Sequence, residues 1–240
     1  MWPKRFQPAE AAKEAVDAAK TAVGERLLAA ALYGSAARGE FDLAHSDLNI
    51  VFVFTTLGTA ELEALRHAHR VWAPRRVLRP LLLARTSLEQ SQDTFPLEYL
   101  LLREWHRPLH GPDLFASIRV ERATLRIQVE RILRAQEMGL AVSYVALANT
   151  PNGARHWASQ ASRAIGASAS GLLHLVGETI PARRQELAER CAERFGVDRE
   201  ALQALLTRDR SRPRVEAPRL LESARLLVER LLTTVEQLDR

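Results

Sequence analysis

Two short stretches decide how this chain is read: Tyr33-Gly34-Ser35-Ala36-Ala37-Arg38-Gly39 and, beyond a short loop, Ser46-Asp47-Leu48-Asn49-Ile50. The first closes an apolar run, Leu27 to Tyr33, whose length and Gly-Ser flank predict a buried strand. Ser35 to Arg38 then opens a short helix. Free N–H groups at such a junction receive phosphate oxygens, and the helix dipole adds to the attraction. Gly34 lets an anion approach the backbone, Ser35 offers a hydroxyl, and Arg38 offers a charged fork. The second stretch enters Leu48 to Thr55, a run of β-formers read as a strand. Side chains alternate along a strand, so Asp47 and Asn49 share one face while Leu48, Ile50, Phe52 and Phe54 take the core-facing side. Two oxygen ligands side by side at a strand end suit a hard cation such as Mg²⁺ that also touches a polyphosphate.

The pattern Gly-Ser-x-x-Arg-Gly followed by Ser-Asp-apolar-Asp-apolar marks the polymerase-β-like nucleotidyltransferases, and residues 27–54 resemble that superfamily. The resemblance places Gly34 and Ser35 in the phosphate-binding turn, with Arg38 and Ser46 beside it. It makes Asp47 the first metal-binding carboxylate, with Asn49 at the second position. It implies an α/β (α+β) nucleotidyltransferase domain with a short mixed sheet, followed by an all-α helical bundle. It also implies ATP or another NTP and Mg²⁺ as cofactors.

Two departures weigh on activity. Asn49 stands where the second carboxylate is expected; its carbonyl oxygen can ligate a metal but carries no charge. The third carboxylate of the resemblance belongs on a following strand, yet Val77 to Ala84 contains no acid and its one charged residue is Arg79. Losing a charged ligand costs several kcal/mol of transition-state stabilisation, roughly 10³-fold in rate. Asp42 and Glu40 lie in the loop before Asp47 and Glu98 follows Phe95-Pro96 near the sheet; each is read as a surface or capping residue. Arg79, with Arg75-Arg76, reads either as a solvated strand edge or as a direct phosphate contact that replaces metal charge.

Two function classes follow. One is a degenerate or weakly active member that binds a nucleoside triphosphate at the Gly-Ser turn. The alternative is a Mg²⁺-dependent enzyme moving a nucleoside monophosphate from an NTP to a small-molecule or macromolecular hydroxyl, with Asp47 and Asn49 as its catalytic pair. A weaker third class is a nucleic-acid-binding module using the basic second half.

The rest of the chain sets the frame. Pro8 to Val23 reads as a helix, as does Thr59 to Val71 with a stripe of Leu62, Leu65 and Ala68. Residues 77–84 read as a third strand, with Pro80 demanding an edge or a bulge. A helix follows over 95–105, and a turn at Pro108 is expected between His106 and His110. Helices then fit 120–148, 154–176, 181–195, 198–208 and 215–238, with breaks at Gly177, Gly196 and Ser211-Arg212-Pro213. Domains are set at 1–115 and 116–240.

The net charge is +5. Residues 1–115 hold 14 basic and 14 acidic residues and 116–240 hold 20 and 15, so the excess is all in the second half. Its signs alternate as on ordinary solvated helices, so nucleic acid is not the expected partner. A nucleotide is, with a small-molecule or protein acceptor; the helical half would shape the acceptor site or a homodimer interface. One cysteine, Cys191, excludes an internal disulfide. No apolar run can span a bilayer and none follows the first residues as a signal core, so cytoplasmic residence is expected. His67 and His69 point apart on their helix and make no metal pair. Trp72, Trp105 and Trp157 are read as packing residues.

Overall fold

The computed structural model describes residues 6–43, 46–147, 153–206 and 217–238, and the chain forms two compact units, Met1–Arg119 and Val120–Arg240. The first holds a mixed four-stranded sheet: β1 (Leu27–Tyr33), β2 (Asn49–Phe54), β3 (Leu81–Ala84) and β4 (His106–His110), in the order β3-β2-β1-β4. β1 is antiparallel to both β2 and β4, whereas β2 and β3 run parallel. A parallel pair needs a crossover, and α3 (Thr59–Trp72) supplies it.

α1 (Pro8–Val23) packs on α3, and both close over one face of the sheet. Six small or β-branched residues of α1 (Ala11, Ala12, Ala15, Val16, Ala19 and Val23) are buried there. They bring the helix close to Ile50, Phe52 and Phe54, all fully buried. Trp72 stacks on Phe52 with ring centroids 5.1 Å apart and donates its indole N–H to the carbonyl of Ala15 at 2.8 Å. Trp72 is therefore a core residue. The other face of β2 is buried as well, since Val51 and Val53 are 0% exposed, and α4 (Arg85–Gln90) packs against β2 and β3.

Three local expectations are corrected. The α3 stripe runs Glu61, Leu65, Ala68 and Trp72, leaving Leu62 exposed. Glu61 can be buried because it accepts from the Gly58 N–H at 2.8 Å and pairs with Arg26 at 2.8 Å. β3 begins only after Pro80, the residue that cannot donate to a ladder. His106 to His110 is the edge strand β4, not a turn; Pro108 lies opposite Ala31 at the sheet margin, where a missing N–H is tolerated. β4 follows α5 (Pro96–Glu104) directly.

The second unit is helical: α6 (Arg122–Leu147), α7 (Gly153–Leu175), α8 (Arg184–Phe195), α9 (Arg199–Leu206) and α10 (Ala217–Gln237). Leu125, Val129 and Leu133 of α6 are fully buried at helical spacing, as are Leu172 of α7 and Leu231 of α10. Cys191 is buried inside this unit, and burial pushes its thiol up to about 12, so it acts as a small packed residue. Many arginines here pair with nearby acids, Arg126 with Glu130 and Arg225 with Glu222 and Glu229 among them. That is the pattern of solvated helix faces. The expected break at Ser211-Arg212-Pro213 and the residues before Gly153 lie outside the described residues, as does the side chain of Trp157.

Candidate functional site

Three strand ends meet at Tyr33, which pairs with Asn49 of β2 on one side and His106 of β4 on the other. The next residue, Gly34, has φ of +72° and begins the short helix α2 (Gly34–Ala37). The amide nitrogen of Asn49 lies against it so closely that no Cβ would fit there. The backbone of the turn and the Asn49 side chain are thus in direct contact. Ser35 follows at once, and its carbonyl accepts from the Glu40 N–H at 2.9 Å, folding the chain back after the helix.

Arg38 is only 15% exposed. Its guanidinium carbon sits 5.3 Å from the ring centroid of Trp105, and it pairs with Glu40 at 3.7 Å. Burial pushes its pKa below the ordinary value and Glu40 opposes the shift. Its Nε is buried without a hydrogen-bond partner among the described residues. Trp105 was anticipated only as packing; its place beneath Arg38 follows from β4, which starts at the next residue. His106 fastens that start. Its Nδ1 lies 3.1 Å from the carbonyls of Leu102 and Arg103, and its Nε2 is 2.9 Å from Asp113. Asp113 also accepts from the N–H groups of Phe115 and Ala116.

Asp47 is exposed and Asn49 half-buried. Ser46 braces the preceding loop: its N–H donates to the Asp42 carbonyl at 2.8 Å, and its hydroxyl accepts from the Asp42 N–H at 3.0 Å. On the far side of β2, the Leu48 N–H donates to the Arg76 carbonyl at 2.9 Å, and Val51 pairs with Leu81. These two anchors fix the chain on either side of residues 77–80, which bend between them because four residues stand opposite two, Asn49 and Ile50. Of the basic cluster, Arg75 pairs with Glu14, and Arg76 donates to the Leu43 carbonyl and lies over the Phe41 ring. Arg79 is exposed and has no partner among the described residues.

The sequence motif implies Mg²⁺, and the donors present decide whether it fits. One carboxylate, Asp47, is joined by one amide, Asn49, whose nitrogen is turned to Gly34. In the ladder, Leu81 and Leu83 partner Val51 and Val53, on the face shared with Asn49. Among the described residues no three His, Cys, Asp or Glu side chains gather as a metal site. This donor set does not fit a paired Mg²⁺ centre, which needs several hard anionic oxygens.

The chain is similar in structure to a spectinomycin adenyltransferase from Enterococcus faecialis solved with ATP and spectinomycin. The TM-score is 0.58 over 95% of this chain and 98% of that one, at 12% sequence identity. The fold is that of a nucleotidyltransferase. No family model and no curated protein matches the sequence. Within the first unit the structure puts Gly34, Ser35 and Asn49 together, while the Arg38 side chain is held by Trp105 and Glu40 and Arg79 precedes β3 on the other side of β2. No described helix is long and apolar enough to cross a membrane.

Proposed function

We propose that this nucleotidyltransferase-fold protein binds a nucleoside triphosphate, with the phosphates lying over Gly34 and Ser35, and that it transfers nucleotide slowly or not at all. The observation that carries this reading is the contact between Gly34 and the Asn49 amide on a strand-turn-helix-strand frame. Gly34 holds a φ that side-chain-bearing residues resist, which turns the chain sharply into α2 and leaves the N–H groups of the turn free to meet an anion, with the Asn49 amide packed beside them. Ser35 adds a hydroxyl donor. Arg38 sets the outer wall of the turn, its guanidinium aligned by Trp105 and Glu40. The structurally similar adenyltransferase was solved with ATP, which makes ATP the first nucleotide to try.

Slow transfer follows from the donor set. Asp47 would have to position a cation and activate an acceptor hydroxyl with no second carboxylate at Asn49 and none on β3. A small hydroxyl-bearing molecule is the first acceptor to try, since the structurally similar adenyltransferase was solved with spectinomycin.

Calorimetric titration with ATP, with and without Mg²⁺, tests the binding half. Release of labelled pyrophosphate in the presence of candidate acceptors tests the catalytic half. Saturable ATP binding that is weakened by Ser35→Ala supports the proposal. An absence of binding under both conditions sinks it, and pyrophosphate release at ordinary enzymatic rates would replace it with the active-enzyme reading.

A further inference from the structure

We infer that the phosphate pocket of this chain operates without a tightly held divalent cation, its charge supplied by Arg79 and an extra donor by the Asn49 amide. This deepens the nucleotide-binding reading and rests on it.

A pocket of three carboxylates repels a triphosphate unless cations intervene. Here the chain entering β2 carries one carboxylate, Asp47, on an exposed position, and the other acid of the turn, Glu40, is paired with Arg38. Replacing a carboxylate by the amide of Asn49 removes one negative charge and adds an NH₂ group that can donate to an anionic oxygen. That nitrogen already lies against Gly34, the residue over which the phosphates would lie.

Arg79 supplies the positive charge. The hydrogen bond from Leu48 to Arg76 and the pairing of Val51 with Leu81 fix the chain on both sides of Arg79, which stands two residues before the ladder begins at the Asn49 end of β2. Neighbouring strands lie about 4.8 Å apart, well within the reach of an arginine side chain. Its neighbours Arg75 and Arg76 are engaged by Glu14, Leu43 and Phe41. Arg79 has no such engagement among the described residues, and its planar fork suits phosphate. Arg79 against Asp47, and Arg38 against Glu40, leave the pocket near neutral, which a polyanion can enter bare.

The two kinds of site respond to Asp47 with opposite signs. Where Asp47 holds a metal, Asp47→Asn weakens nucleotide binding. Where it is an unneeded negative charge near the phosphates, Asp47→Asn strengthens it. The test is calorimetric titration of ATP into the full chain in EDTA and again in excess Mg²⁺, for the wild type, Asp47→Asn, Arg79→Ala and Asn49→Asp. Thermal melts verify that each variant is folded.

The expected result is wild-type binding in EDTA within about threefold of that in Mg²⁺, each unit charge near the phosphates being worth about tenfold. Asp47→Asn then tightens binding in EDTA, and Arg79→Ala weakens it about tenfold. Asn49→Asp weakens binding in EDTA and restores part of it when Mg²⁺ is added. Binding that appears only with Mg²⁺, or that Asp47→Asn abolishes, overturns this inference and leaves nucleotide binding standing. No binding in either buffer overturns both.

Discussion

The Asn49 amide fills the space that a Cβ on Gly34 would need, so the turn after β1 and the start of β2 are packed as one unit. Gly34→Ala therefore has two separate costs. The φ of +72° disfavours any L side chain by about 1–2 kcal/mol. The new methyl must also displace Asn49, bringing the total to roughly 2–3 kcal/mol. The Asn49 share is isolated by a double-mutant cycle: Gly34→Ala in an Asn49→Ala background should cost less than in the wild type by about 1 kcal/mol. Denaturant midpoints measure both. Additive effects would show that the two residues do not share this space.

Gly111, just beyond β4, is a harsher case. Its φ is +69°, and a Cβ there would run into the backbone carbonyl of Leu28 on β1. Backbone cannot swing aside as a side chain can. Gly111→Ala should cost more than Gly34→Ala, roughly 3 kcal/mol or above, with a fall in thermal midpoint of several degrees. It should also loosen β4, which is visible as faster amide exchange at Leu109. A loss no larger than that of Gly34→Ala would mean that the β4 exit shifts freely.

The helices and the two central strands were legible because their apolar residues repeat with clear periods; Pro8–Val23 and Leu27–Tyr33 could be read almost to the residue. β4 was missed for a physical reason. His106-Arg107-Pro108-Leu109-His110 has a polar, proline-bearing composition that reads as a turn, and only its edge position makes a strand permissible. Gly34 and Asn49, singled out by a local spacing pattern, do lie against each other where β1 ends and β2 begins. The placement of Trp105 under Arg38 was not legible, since it depends on β4 pairing with β1 across more than 70 residues. On α3, Leu65 and Ala68 are buried as their spacing requires, and only Leu62 gives way, to Glu61, a charged residue buried through the Gly58 N–H and Arg26.

Asp113 makes the fold near the site sensitive to acid. Burial acts to raise its pKa, but hydrogen bonds from His106 and from the Ala116 and Phe115 N–H groups outweigh this and hold it below the ordinary 3.8. A folded-state pKa below the unfolded one means that the carboxylate's contribution is complete above the unfolded value. It is lost as pH falls through the folded value. Asp113→Asn should thus lower the denaturant midpoint at neutral pH, and the gap to the wild type should close once the pH is well below 3.8. The carboxylate is 37% exposed, so the gap should be small. Curves that stay parallel down to acid pH would show that the charge of Asp113 contributes nothing.

Arg38 and Glu40 form a half-buried ion pair against Trp105, with the guanidinium Nε lacking a partner among the described residues. Such a pair adds little net stability, because desolvation offsets the attraction, but removing one member strands the other. Arg38→Met should destabilise by about 1–2 kcal/mol, since Glu40 keeps its charge in a confined setting. Adding Glu40→Gln should recover most of that loss, with the methionine still resting on the Trp105 ring. ATP binding should separate from stability. Both variants should bind about tenfold more weakly, because the lost guanidinium charge lies close to the phosphates. A double variant that regains wild-type ATP affinity along with its melting temperature would make Arg38 a purely structural residue, and the outer wall of the phosphate turn would have to be sought elsewhere.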